Sequence, residues 1–87
     1  MKFMVTVTFN QKPNDELRAL IPAEQSRIKE LVTQGVMQNG YMAASRSKIW
    51  LIMQGESQDV VQAALESLPL YKFMNVEITP LAEYQFD

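Results

Sequence analysis

The chain contains no cysteine and no histidine in 87 residues. Without cysteine there is no disulfide and no thiolate metal site to support a small core. Without histidine the commonest metal ligand and the commonest general base at neutral pH are both missing, as is any Ser-His or Cys-His nucleophile pair. Acid–base chemistry in this chain must therefore use carboxylates, lysine or tyrosine, and no metal or cofactor is expected. Basic clusters are also lacking and the net charge is −2, which argues against nucleic acid as a partner. No apolar run approaches the roughly 20 residues needed to span a bilayer, so no membrane association is expected. The opening "MKFMVTVTFN" carries one lysine and several apolar residues, but threonines interrupt it and no small-residue cleavage site follows. It reads as a strand, not a signal peptide, and the expected location is the cytoplasm.

What is present is a globular composition, 47% hydrophobic, with no repeat, linker or low-complexity segment. A single domain spanning residues 1–87 is expected. Phe3, Val5, Val7 and Phe9 alternate with Met4, Thr6 and Thr8, the period of a strand. "NQKPND" breaks it. Leu17, Leu20, Ile21, Ile28, Leu31 and Val32 then follow a helical stripe that Gly35 stops. Pro22 lies inside that pattern and predicts a short first piece, a break or kink, and a longer helix starting near the proline.

"VMQNGYMAAS" reads as a weaker strand, bulged near Asn39–Gly40, and "SRSK" turns the chain. "KIWLIMQ" is a nearly continuous apolar strand, as expected at the centre of a sheet. Ser57 is a fitting N-cap for a second helix with Val60, Val61, Ala64, Leu65 and Leu68 on its stripe and Pro69 at its end. Met74, Val76 and Ile78 make the last strand.

The order β-α-β-β-α-β is the ferredoxin-like arrangement, an α+β fold with a four-stranded antiparallel sheet and both helices on one face. The other face would carry Met4, Thr6 and Thr8 and either Trp50 and Ile52 or their neighbours. An apolar sheet face of roughly several hundred Å² does not stay open on a monomer. Two such sheets packed face to face are expected.

Glu24 is the candidate catalytic residue. Positions 17, 21, 24, 28 and 31 share one stripe, and Glu24 alone among them is polar. If the helix runs through Pro22, its carboxylate faces the sheet, where burial raises the pKa towards the range useful for proton transfer. If Pro22 resets the helix, Glu24 falls in a solvated first turn that favours its charge. Arg46, in the "SRSK" turn, is either an anion anchor or a solvated hairpin tip. Tyr41 and Trp50 either line a pocket for a planar ligand or pack in a core or interface.

The stretch Leu68, Pro69, Leu70, Tyr71, Phe73, Met74, Asn75, Val76, Glu77, Ile78 resembles the late signature of the muconolactone delta-isomerase family. The resemblance extends back through Gly35 to Glu24, which falls on a glutamate at the family's helix start. It implies a ferredoxin-like subunit pairing as a dimeric α+β barrel, a homodimer or higher assembly up to a ring-like decamer. It also implies a cofactor-free proton shift in an unsaturated lactone, with a carboxylate as base.

The chain departs from that pattern at Met4 and Thr6, where the family carries histidine and lysine, and at Tyr41 and Met42, where it carries tryptophan and arginine. A lactone acid needs cations for its carboxylate and its developing enolate. The expected substrate is therefore a less anionic lactone or carbonyl compound. The substrate-binding candidates are Met4, Thr6, Tyr41, Met42, Arg46 and Trp50. A second reading has the same frame as a non-catalytic oligomeric module that binds a small ligand or acts as a scaffold. The apolar Leu70, Tyr71 and Phe73 are expected at a subunit contact or at the mouth of the pocket.

Overall fold

Alternation on the first strand fixes the architecture. In a computed structural model describing residues 1–86, β1 (Lys2–Phe9) buries Phe3, Val5 and Val7 almost completely, while Met4, Thr6 and Thr8 between them are only partly covered. The odd positions face two helices and the even positions face away. The remaining elements are α1 (Asp15–Thr33), β2 (Met37–Met42), β3 (Ile49–Gln54), α2 (Gln58–Glu66) and β4 (Met74–Leu81). They form one antiparallel sheet in the order β2-β3-β1-β4, the ferredoxin-like α+β arrangement.

Register assigns the remaining faces. Phe3, Val5 and Val7 pair with Met53, Leu51 and Ile49 on β3, while Val5 and Val7 pair with Ile78 and Val76 on β4. These residues pack with Leu31 of α1, with Val61 and Leu65 of α2, and with Leu68 beyond it. The opposite face shows Met4 beside Ile52, Thr6 beside Trp50 and Glu77, and Tyr41 beside Trp50.

Helix α1 corrects the expected break. It runs without interruption through Pro22, capped by the Asn14 side chain, which accepts from the Leu17 N–H at 2.8 Å. Pro22 and its neighbours Ile21 and Ala23 are exposed, whereas Leu17, Glu24 and Leu31 make the buried line. A proline on the solvent side frees a carbonyl that water can satisfy, so the helix tolerates it. The helix gives way at Gly35, whose φ of 78° lies in the left-handed region. Helix α2 begins as expected, with Ser57 Oγ accepting from the Val60 N–H at 3.4 Å. The β2 irregularity falls between Met37 and Asn39, just before the expected site.

The stretch after α2 departs only in part from the expected subunit contact or pocket mouth, since Leu70 borders a cavity on the helix side of the sheet. Leu70 and Phe73 are not on the surface; they form a small second core with Leu17 at the start of α1. The 3₁₀ turn Tyr71–Phe73 presents Tyr71 half-buried, its hydroxyl accepting from Gln62 Nε2 at 2.9 Å. The apolar mass after Pro69 thus completes the core of its own chain. No helix among the described residues is long and apolar enough to cross a membrane.

Candidate active site

Since α1 continues through Pro22, Glu24 falls in its third turn and points at the sheet. It is only 7% exposed and is the one charged side chain buried among the described residues. Its Oε1 accepts a hydrogen bond from the Leu70 backbone N–H at 3.1 Å. Burial away from water pushes the Glu24 carboxyl above its ordinary value, and the Leu70 hydrogen bond opposes this in part. No buried side-chain nitrogen or oxygen among the described residues lacks a partner. Oε2 accepts no such bond, so it keeps contact with open space.

Glu24 lines a cavity of about 260 Å³ between α1 and the sheet. Ile21, Glu24, Gln25 and Ile28 form its helix side, and Val7, Phe9, Met37, Ile49, Leu51 and Met74 its sheet floor. Leu68 and Leu70 close it beyond α2. The lining is apolar apart from Glu24 and Gln25, so the carboxylate sits in a weakly solvating enclosure of the size of a small organic molecule.

The strap from Ser67 to Phe73 is fixed along α1 by further polar contacts. Arg27 Nε donates to Ser67 Oγ at 2.9 Å, and Lys72 pairs with Glu16. Asn10 holds the far end: its N–H donates to the Phe73 carbonyl at 2.8 Å and its side-chain amide to the Lys72 carbonyl at 3.0 Å. The Glu24–Leu70 bond lies between these two sets and is the buried member.

The residues expected to share a site with Glu24 divide between the two sheet faces. Met4, Thr6, Tyr41 and Trp50 lie on the face opposite the helices and do not line the Glu24 cavity, because the sheet itself stands between. Met42 pairs with Ile49 at the end of β2, is exposed, and is not part of the lining either. Arg46, at the β2–β3 turn, lines a neighbouring pocket with Phe9. The cavity beside Glu24 thus takes its walls from residues other than the substrate-binding candidates.

Sequence reading passed over the Leu70 N–H and the walls Phe9, Gln25 and Met74. The signal for Leu70 was the apolar Leu68-Pro69-Leu70 loop itself: an apolar segment after a helix must bury its backbone and find partners for it.

A profile of the muconolactone delta-isomerase family matches residues 1–87. The chain belongs to the muconolactone delta-isomerase family. Among solved structures, a muconolactone isomerase determined at 3.3 Å superposes with a TM-score of 0.83 at 20% identity, covering 97% of this chain and 91% of the other. A 5-chloro-2-hydroxyhydroquinone dehydrochlorinase from Burkholderia phenoliruptrix AC1100, in complex with 2,5-dihydroxybenzoquinone, superposes with a TM-score of 0.56 at 22% identity. That match covers 88% of this chain and 91% of the dehydrochlorinase. At these identities the likeness to the two structures concerns the fold. No curated protein sequence matches the chain.

Proposed function

We propose that this member of the muconolactone delta-isomerase family is a cofactor-independent isomerase in which Glu24 shifts a proton within a small unsaturated lactone or carbonyl compound. The observation that carries the reading is a buried carboxylate that lines an apolar cavity while one of its oxygens is held by Leu70. A base so placed is poorly solvated, oriented, and raised towards neutral pH, the combination that proton abstraction next to a carbonyl requires. In the reaction, Oε2 takes a proton from the carbon α to the carbonyl, giving a dienolate. The same carboxyl group returns the proton to the far carbon of the conjugated system, so no proton is gained or lost. The lining offers no lysine or arginine to a substrate carboxylate, which favours a compact, uncharged substrate over a lactone acid.

The test is proton exchange in D₂O. Unsaturated γ-lactones and cyclic enones are screened by NMR for deuterium uptake at the α and γ carbons. With an accepted compound, Glu24→Gln lowers the exchange rate by about 10²- to 10⁴-fold. Unchanged exchange in that variant overturns the assignment.

One observation favours a second reading. Among the described residues, the Glu24 side chain accepts from one donor, a backbone N–H, as it would if the residue only fastened the strap. On that reading the chain is a small-ligand-binding or scaffold module, and compounds bind in the cavity without exchange.

Self-association belongs to both readings. The open sheet face carries Met4, Ile52, Trp50 and Tyr41, the last 62% exposed. A second copy laid sheet to sheet would cover it, forming a dimeric barrel.

A further inference from the structure

Two cavities meet at Phe9. Beside the Glu24 cavity lies a second pocket of about 340 Å³, lined by Phe9, Gln11, Pro13, Leu17, Arg46 and Ser47. Among the described residues, Phe9 alone lines both. It ends β1 and borders both a cavity lined by a carboxylate and a pocket lined by a guanidinium.

Arg46 differs from the other arginines in two respects. Arg18 is paired with Asp15, and Arg27 with Glu30 and Ser67, whereas Arg46 has no ion-pair partner among the described residues. Its backbone is also left-handed, with φ of 66°, alone among the described non-glycine residues. The turn holds it there: the Arg46 N–H donates to the Ala43 carbonyl at 2.7 Å, and the Ala43 N–H donates to the Lys48 carbonyl at 2.9 Å. The Ser45 and Ser47 hydroxyls are hydrogen-bonded to each other at 2.8 Å. Such a hairpin position ordinarily takes glycine or asparagine. An arginine costs the backbone more than either of these, and here it borders a pocket.

We propose that the Arg46 pocket is a carboxylate-binding subsite and that Phe9 decides whether a ligand lodged beside Glu24 can reach it. A guanidinium matches a carboxylate through two parallel hydrogen bonds, and Ser47 lines the pocket beside it. Pro13, Leu17 and Phe9 supply an apolar wall for the carbon chain carrying the acid. With Phe9 in place, the Glu24 cavity holds a compact uncharged body and the acid subsite is closed to it. With a smaller residue at position 9, one amphiphilic acid spans both. This rests on reading the Glu24 cavity as a ligand site.

The experiment compares phenylbutyrate with phenylbutanol, which share a ring and chain and differ in the terminal charge. Affinities are measured by calorimetry, with the Leu70 amide as the NMR reporter of the Glu24 cavity. Phenylbutanol shifts the Leu70 amide of the native chain. Phe9→Ala tightens phenylbutyrate binding by at least about tenfold and changes phenylbutanol by less than about threefold, and adding Arg46→Gln cancels the gain. Phe9→Leu gives a smaller gain of the same selectivity and serves if the alanine variant does not fold. Equal changes for the two probes, or a gain that survives Arg46→Gln, overturn the proposal. If phenylbutanol leaves Leu70 unmoved in the native chain, the cavity reading fails and takes the proposal with it. If Leu70 moves and no acid-selective gain follows, the Phe9–Arg46 proposal alone fails.

Discussion

The carboxylate of Glu24 accepts the backbone N–H of Leu70 at 3.1 Å, joining the third turn of α1 to a loop 46 residues further along the chain. One side chain thereby fastens the strap after α2 and faces the cavity, and the two roles respond differently to substitution. Glu24→Gln keeps an amide oxygen for Leu70 and is expected to change stability by less than about 1 kcal/mol. Glu24→Ala leaves the Leu70 N–H without its partner and is expected to cost about 1–3 kcal/mol. Urea unfolding of the two variants separates the roles; equal losses would show that the hydrogen bond contributes nothing to stability.

The raised Glu24 carboxyl gives stability a pH dependence of definite sign. Burial makes the folded state hold its proton more tightly than the unfolded chain, where the ordinary value is 4.5. The stabilisation is therefore complete below pH 4.5 and is lost as pH rises through the higher folded value. In Glu24→Gln this component is absent, so the stability difference between native and variant shifts against the native chain with rising pH. If Glu24 is the base, the exchange rate rises with pH over the same interval, because only the ionised form accepts a proton. A carboxyl ¹³C titration locates the midpoint, and a midpoint at 4.5 or below contradicts the burial argument.

How far the sequence could be read depends on which pattern each element shows. The alternation of Phe3, Val5 and Val7 with Met4, Thr6 and Thr8 names the two faces of β1 without any structure. The run Ile49 to Met53 is apolar throughout, so it has no alternation to read. Only the pairing of Thr6 with Trp50 sends Trp50 and Tyr41 to the face away from Glu24. Proline misled for a related reason. Pro22 marks a break only where the freed carbonyl is buried, and which side of α1 faces water is a tertiary fact. Glu24 itself was legible, because the line through Leu17 and Leu31 is set by helical period alone.

The polar fastenings at the ends of the strap are expected to matter far less than its buried residues. Lys72 and Glu16 are 56% and 60% exposed, so Lys72→Ala costs less than about 1 kcal/mol. Leu70→Ala removes a buried side chain from both the Leu17–Phe73 cluster and the cavity wall, at about 2–4 kcal/mol. The ordering is checked by thermal denaturation of the two variants. A larger loss for Lys72→Ala would place the strap's anchorage in its surface ion pair.

The sheet face opposite the helices supplies a prediction about assembly. Thr6 is half-buried at its centre, between Trp50 and Glu77. A second copy packed on this face would have to bury a carboxylate placed there beside the like charge of Glu77. Thr6→Glu is therefore expected to reduce self-association at least about tenfold while the single chain keeps its helical and strand content. Light scattering gives the mass, against 10.0 kDa for one chain. A native chain that remains at that mass at micromolar concentration removes the face-to-face pairing.

Arg46 offers a contrast between backbone and side chain. Its φ of 66° costs an L-residue about 1 kcal/mol that glycine does not incur. Glycine at this position loses more freedom on folding, which offsets part of that gain. Because the side chain is exposed and unpaired among the described residues, nothing in the fold is lost with it. Arg46→Gly is thus expected to leave stability unchanged or raise it by up to about 1 kcal/mol. In the Phe9→Ala background it should abolish the preference for phenylbutyrate over phenylbutanol. A clear loss of stability in Arg46→Gly would mean that the arginine holds the hairpin, and its presence would then need no ligand to explain it.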